Sequence, residues 1–181
     1  KHRGRIPSPY NEEFVKELDF FMDNAKYYPN HILPNPYYWA GNEPDIFAPW
    51  MFNFAKRSDL TQKWTRYQIA TQYSSKPDGI PGNDDFGTMS AWQLFAYLGF
   101  YPQSGSSTYL VGSPAFTNTT IHRKLGDIHI IAHGASPANI YVQRLEVNGS
   151  PIDMVNAPWF SHQAIHRGGK LEFWMSSDPS L

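Results

Sequence analysis

The chain has 181 residues, of which 41% are hydrophobic and 16% aromatic, and its formal net charge is −1. Its one basic cluster, Lys1 to Arg5, sits at the extreme N-terminus, which argues against a nucleic-acid partner because phosphate binding needs clustered Lys and Arg. Cysteine is absent, which removes a disulfide framework, a thiolate metal site and a cysteine nucleophile. The apolar run Leu94 to Phe100 is far short of the ~20 residues a membrane span needs. Lys1 to Arg5 leads into Pro7 and Pro9 and not into an apolar run, so the start reads as a mature, cleaved or trimmed chain without a signal peptide. Of two glycosylation sequons, Asn118-Thr119-Thr120 is the plausible one, and Asn148-Gly149-Ser150 is disfavoured by Pro151.

In chain order, Asn11 is placed to cap a helix whose apolar positions Phe14, Leu18, Phe21 and Met22 share one face. Tyr10 and Val15 are placed to form a hydrophobic staple across that cap. From Tyr28 to Pro49 prolines break the chain and Tyr37, Tyr38 and Trp39 crowd it; a long ordered loop of this kind tends to be functional. Helices are expected over about Trp50 to Lys56 and from Asp59 to about Tyr73, the second with Gln62 completing a capping box. A Gly/Pro loop, Ser74 to Asp85, leads to a last helix from about Asp85 to Leu98 that Gly99 stops. Beyond Gly105 short alternating segments predict strands at Thr108 to Val111, Thr119 to His122, Asp127 to Ala132, Ile140 to Val147 and Lys170 to Met175. The expected organisation is α+β, helical over 1–104 and a small antiparallel β unit over 105–181.

The segment Asp78-Gly79-Ile80-Pro81-Gly82-Asn83-Asp84-Asp85-Phe86-Gly87 brings acidic groups to a helix N-terminus, where free N–H groups and the dipole favour an ionised carboxylate. That suits a general base acting on water. It equally suits a plain helix cap at Asp84 or Asp85. Calcium is a third reading, since Asp, Asn and carbonyl oxygens are its ligands, although the spacing does not match an EF-hand.

The segment Gly41-Asn42-Glu43-Pro44-Asp45 lies beside Tyr37, Tyr38, Trp39 and Trp50. Rings that stack on a pyranose, with carboxylates and amides for its hydroxyls, make a sugar site. The alternative is that the rings are core and Glu43 pairs with a buried arginine such as Arg66. The seven histidines, His2, His31, His122, His129, His133, His162 and His166, show no metal-ligand spacing and read as surface or core residues. Ser90 lacks the G-x-S-x-G context of a serine hydrolase.

Taken together, these stretches resemble glycoside hydrolase family 92, the calcium-dependent exo-α-mannosidases. The matching segments are Gly41 to Asp45, Pro49 to Phe54, Thr61-Gln62, Tyr73, Pro77 to Gly87, Met89 to Trp92, Leu98 to Pro102, Tyr109 and Gly112-Ser113-Pro114. The tail with Gly168-Gly169-x-Leu171-Glu172-Phe173 agrees more loosely. The resemblance implies the C-terminal helices of an (α/α)6 barrel followed by the β unit. It implies inverting hydrolysis of terminal α-mannosidic linkages in N-glycans or mannans, α-1,2 among them, by a secreted, Ca²⁺-assisted enzyme. It points to Asp85 as general base with Asn83 and Asp84 beside it, and to Glu43, Asn42, Trp39 and Trp50 as substrate-binding residues. Glu43 and Asn83 become candidate Ca²⁺ ligands.

Family members are several times longer, and their general acid lies upstream of anything here. The resemblance therefore implies a partner, the N-terminal chain of the same enzyme with the β-sandwich and the rest of the barrel. The rival from another class is a non-catalytic carbohydrate-binding module; a further rival is an inverting hydrolase for another sugar.

Overall fold

A computed structural model describes residues 8–27 and 36–180. The basic cluster Lys1 to Arg5, His2, His31, the Tyr10 side chain of the expected staple, and Tyr28 to Pro34 of the aromatic loop lie outside the described residues. The chain forms two compact units, Lys1–Trp39 and Ala40–Leu181.

The first unit holds helix α1, Ser8–Asn24, which begins before the expected cap at Asn11. Tyr37 packs edge-on against Phe20 and Tyr38 against Phe21, with centroids 5.8 and 6.2 Å apart. The Tyr38 N–H donates to the Phe21 carbonyl, 3.4 Å.

The second unit opens with two 3-10 segments, Glu43–Asp45 and Ala48–Ala55, the latter where an α-helix from Trp50 was expected. Helix α2, Ser58–Thr71, follows. The capping box predicted at its start is not formed: no side chain caps the Arg57 position. Asp59 is drawn away by the Arg57 guanidinium at 2.7 and 2.8 Å. The Gln62 side-chain oxygen instead accepts from the Val142 N–H, 2.9 Å, which ties α2 to the strand region. Helix α3, Thr88–Leu98, buries Met89, Trp92 and Ala96 as the spacing predicts. It ends at Gly99, whose φ of 85° lets its N–H reach the Phe95 and Ala96 carbonyls.

Strands β1 (Phe100–Pro102), β2 (Thr108–Val111) and β7 (Trp159–Ser161) make an antiparallel sheet in the order β1-β2-β7. Strands β3 (Asn118–Ile121), β4 (Ile128–His133), β5 (Tyr141–Val147), β6 (Ser150–Pro151) and β8 (Gly169–Ser176) make a second, ordered β3-β4-β8-β5-β6. The expectation of an antiparallel unit is corrected here. β4 and β8 pair in parallel, Ile128 to Gly169 through His133 to Trp174, because the long β4-to-β8 connection lets β8 enter between β4 and β5.

One apolar cluster draws from both sheets, with Val111 and Phe160 from the first and Ile130, Leu145, Leu171 and Phe173 from the second. Alternation on β4 buries Ile128, Ile130 and Ala132 and exposes His129 and His133, the surface reading made for these histidines. Asn53 Nδ2 donates to the Val111 carbonyl (3.0 Å), and the Ser58 hydroxyl to the Met154 carbonyl (2.9 Å). The change from helix to strand thus falls at Gly99–Phe100, and from Ala40 onward helices and strands share one compact unit. The Asn148 side chain donates to the Ala164 carbonyl and accepts from the Lys170 N–H, both 2.7 Å. Its amide is committed to the fold, whereas Asn118 is exposed.

Candidate active site

The loop from α2 to α3 is closed by its own backbone. The Ser74 N–H donates to the Gly79 carbonyl and the Gly79 N–H to the Lys76 carbonyl, both at 2.9 Å. A Cβ on Gly79 would lie 2.1 Å from the Ser74 carbonyl oxygen, so the turn closes only around a residue without a side chain. Past Asn83, Asp85, Phe86 and Gly87 all take left-handed backbone, with φ of 51°, 58° and 93°. For Asp and Phe this costs roughly 1–2 kcal/mol each, and such strain persists only where surrounding contacts hold it.

The turn gives the start of α3 its partners. Thr88 N–H donates to the Asp85 carbonyl (3.2 Å), Met89 N–H to the Asp84 carbonyl (3.0 Å) and Ser90 N–H to Asp84 Oδ1 (2.9 Å). The Ser90 hydroxyl donates to the same Oδ1 at 2.6 Å. The two Ser90 bonds, the hydroxyl first, hold the Asp84 carboxyl below its ordinary value, with help from the Gly87 N–H. Asp84 therefore acts as the cap of α3, although it stands outside the helix and the cap position itself is Gly87.

Asp85 is different. It is half-buried, and no described residue hydrogen-bonds its carboxylate. Two adjacent aspartates thus divide the two roles that the sequence leaves open. Asn83 is exposed, and Phe86 is fully exposed beside Asp85.

The division makes a first prediction. A carboxyl whose value is lowered in the fold stabilises it above the unfolded value, and that contribution is lost as pH falls through the folded value. Asp84 should support α3 fully above its ordinary 3.8 and lose that support in more acidic solution. Asp84→Ala should then lower the melting temperature by a few degrees at neutral pH. In thermal melts the difference from the wild type should vanish at the acid end.

In the second segment singled out in the sequence, Asn42 precedes the 3-10 turn that carries Glu43, with Pro44 fixing its start. Asn42 is half-buried and Glu43 exposed. Arg66 does not pair with Glu43; its guanidinium donates to the Pro114 and Ser136 carbonyls at 2.7 and 3.0 Å, and burial lowers its pKa from the usual guanidinium range. Tyr101 is held up first by burial and then by the nearby Glu43 charge. Tyr73 is pushed up by burial and by Tyr101.

Trp50 requires a correction as a sugar-stacking residue. It is fully buried, stacked on Tyr101 (5.0 Å, 19°) and edge-on to Trp92 (6.4 Å, 71°). Its ring also abuts Gly112, where a Cβ would come within 2.7 Å, so no face is left for a pyranose. Trp39 is half-buried in the first unit.

Trp92 connects the rest. Its Nε1–H donates to the Ile46 carbonyl (2.8 Å) and its ring stacks on Tyr73 (5.5 Å, 15°). A run of rings, Tyr73, Trp92, Trp50 and Tyr101, thus joins the helix behind Asp85 to the turn that carries Glu43. The sequence marks Trp92 as a buried helix position and Tyr73 and Tyr101 as parts of the family resemblance, but spacing along the chain gives no sign of stacking across it.

Among the described residues no group of three or more His, Cys, Asp or Glu is placed to hold a metal ion. Glu43 and Asn83 lie on separate exposed loops, and these residues alone do not form a calcium cage.

A family model described as the glycosyl hydrolase family 92 catalytic domain matches residues 10–177. The chain belongs to this family. Among family 92 structures, an α-mannosidase of Bacteroides thetaiotaomicron in complex with mannoimidazole superposes with a TM-score of 0.80 and 34% identity, over 92% of this chain and 22% of that one. An inverting family 92 mannosidase of the same bacterium gives a TM-score of 0.70 and 27% identity, over 80% of this chain and 19% of that one. A fungal relative from Arthroderma benhamiae, named as a secreted glycosidase, is 28% identical over 93% of this chain and 20% of its own length. The chain spans about a fifth of the length of these family 92 relatives.

Proposed function

We propose that this chain is the part of an inverting exo-α-mannosidase that carries its general base, Asp85. The observation that carries this reading is the pair of adjacent aspartates at the start of α3. Asp84 is committed to Ser90, while Asp85 is held on a strained turn with its carboxylate available. Family membership and the mannosidase relatives support the substrate class.

In the proposed step Asp85 accepts a proton from water as the water oxygen bonds to the anomeric carbon. The glycosidic C–O bond breaks on the opposite face, and the leaving oxygen takes a proton from a carboxylic acid. In inverting enzymes the two carboxyl groups stand roughly 6.5–9.5 Å apart to admit that water. The acid belongs to the remainder of the enzyme, which would also supply the β-sandwich and the rest of an (α/α)6 barrel. Glu43 and Asn42 are the proposed contacts to sugar hydroxyls, and α-1,2-linked mannose is the first linkage to test. The name of the fungal relative supports a secreted enzyme, and among the described residues no helix is long and apolar enough to cross a membrane.

Calcium remains the proposed cofactor, with most of its ligands elsewhere in the enzyme. Chelation with EGTA is expected to abolish turnover of an aryl α-mannoside and added Ca²⁺ to restore it; an unchanged rate would remove calcium from the account. The rival reading, a carbohydrate-binding module, is favoured by one surface feature: half-exposed Phe54 stacked on Trp159 (6.1 Å, 29°). Release of mannose from α-mannosides, but not β-mannosides, by the assembled enzyme separates the two; sugar binding without release would support the module.

A further inference from the structure

The fold treats the two glycosylation sequons in opposite ways. The Asn148 amide is held on both sides. Its Nδ2 donates to the Ala164 carbonyl and its Oδ1 accepts from the Lys170 N–H, both at 2.7 Å. A Cβ on Gly169 would come within 2.6 Å of that Oδ1, so a sugar on Nδ2 would have to disturb a closely fitted turn. Asn118 is the reverse. It is exposed at the start of β3, and no described residue hydrogen-bonds its amide. β3 is an outer strand of its sheet, with β4 as its one neighbour among the described strands. Asn118 stands opposite Ile131 and Thr120 opposite the exposed His129, while Ile121 packs on the core. Alternation therefore turns Asn118 and Thr120, both required by the sequon, to the outer face of the sheet.

A second observation points to a sugar here. Phe116, two residues before Asn118 at the bend that leads into β3, is a large apolar ring left 51% exposed. Tyr97 stacks on it, with 5.4 Å between centroids and 22° between planes. The stack holds the ring in place and leaves half of its surface open. An aromatic ring presented in this way is a platform for the apolar face of a pyranose. Half-exposed, Phe116 adds little to the core, and the order Phe116-Thr117-Asn118-Thr119-Thr120 gains its sense from a sugar on the asparagine.

We propose that Asn118 carries an N-linked glycan whose first sugar lies against Phe116. This rests on the reading of the enzyme as secreted, which the name of the fungal relative supports. The donor is a lipid-diphosphate-linked oligosaccharide of a eukaryotic secretory pathway. Asn118 Nδ2 bonds to the anomeric carbon of the first sugar as the bond from that carbon to the diphosphate oxygen breaks. The amide loses one proton and the lipid diphosphate leaves. The bulky, hydrated glycan then shields the outer edge of β3, since an open strand edge is a template for pairing with another chain.

Two preparations of the enzyme that contains this chain separate the site from the secretion on which it rests. The first is directed into the secretory pathway of a fungal host by that host's signal sequence. Digestion with peptide-N-glycosidase in oxygen-18 water, followed by peptide mass mapping, is expected to give labelled aspartate at position 118 and none at 148. Unlabelled Asn118 in this material, or label at Asn148, would overturn the assignment. The second comes from its own source and should be found in the medium with the same label. Enzyme recovered only from the cells and unlabelled would mean that the secreted reading fails and the proposal with it. The part played by the ring is read by thermal melts of the secreted material. Asn118→Gln, which removes the glycan, should lower the melting temperature by a few degrees beside Phe116 and leave it unchanged in a Phe116→Ala background. Equal effects in the two backgrounds would show that the ring does not hold the sugar.

Discussion

Asp85→Asn is expected to reduce turnover of α-mannosides by a factor on the order of 10² to 10⁴ while mannose affinity stays within a few fold. The amide has nearly the same shape and cannot take the proton from the attacking water. Because no described residue hydrogen-bonds the Asp85 carboxylate, the substitution breaks no contact of the fold, and its melting temperature should match that of the wild type. Asp84→Ala should behave in the opposite way, losing stability through Ser90. Steady-state kinetics, mannose titration and thermal melts on the two variants read this crossed pattern. Full activity in Asp85→Asn, or a loss of turnover that tracks a loss of stability, would remove Asp85 from the role of base.

The second large effect is on the scaffold. Trp92→Ala is expected to cost about 3–5 kcal/mol, as truncation of a fully buried aromatic does. Trp92 is completely buried between Tyr73 and Trp50, and its indole N–H holds the Ile46 carbonyl. Both the helix behind Asp85 and the turn that carries Glu43 depend on it, so activity should fall together with stability. Trp92→Phe keeps most of the packing and gives up the hydrogen bond, and should lose about 1 kcal/mol plus a partial cavity cost. Denaturant unfolding gives both values; equal stability for wild type and Trp92→Phe would mean that the Ile46 bond contributes nothing.

The strands were legible where side chains alternate over four or more residues. Thr108 to Val111 is found as expected, and the Lys170 to Met175 segment is longer by one residue at each end. The three-residue strands Phe100–Pro102 and Trp159–Ser161 are too short to show a period. The first also carries a proline directly after a helix stop, so it reads as loop. The parallel β4–β8 pairing was not legible either, because alternation marks a buried face and says nothing of the neighbour.

At the candidate site the sequence located the segment and left its two aspartates undivided. What divides them is the left-handed run at Asp85, Phe86 and Gly87, which turns the Asp84 side chain back to Ser90. Phe rarely takes that conformation, so propensity gives no warning of a run of three. The misassignment of Trp50 has a similar origin: a ring in an aromatic loop reads as a sugar platform until Tyr101, Trp92 and Gly112 are seen to cover it.

The most direct test of the central claim is time-resolved proton NMR of α-mannoside hydrolysis by the enzyme that contains this chain, wild type and Asp85→Asn side by side. β-Mannose is expected to form first in the wild type, with no mannose released on the same timescale by the variant. First-formed α-mannose, or release at the wild-type rate by Asp85→Asn, would contradict it.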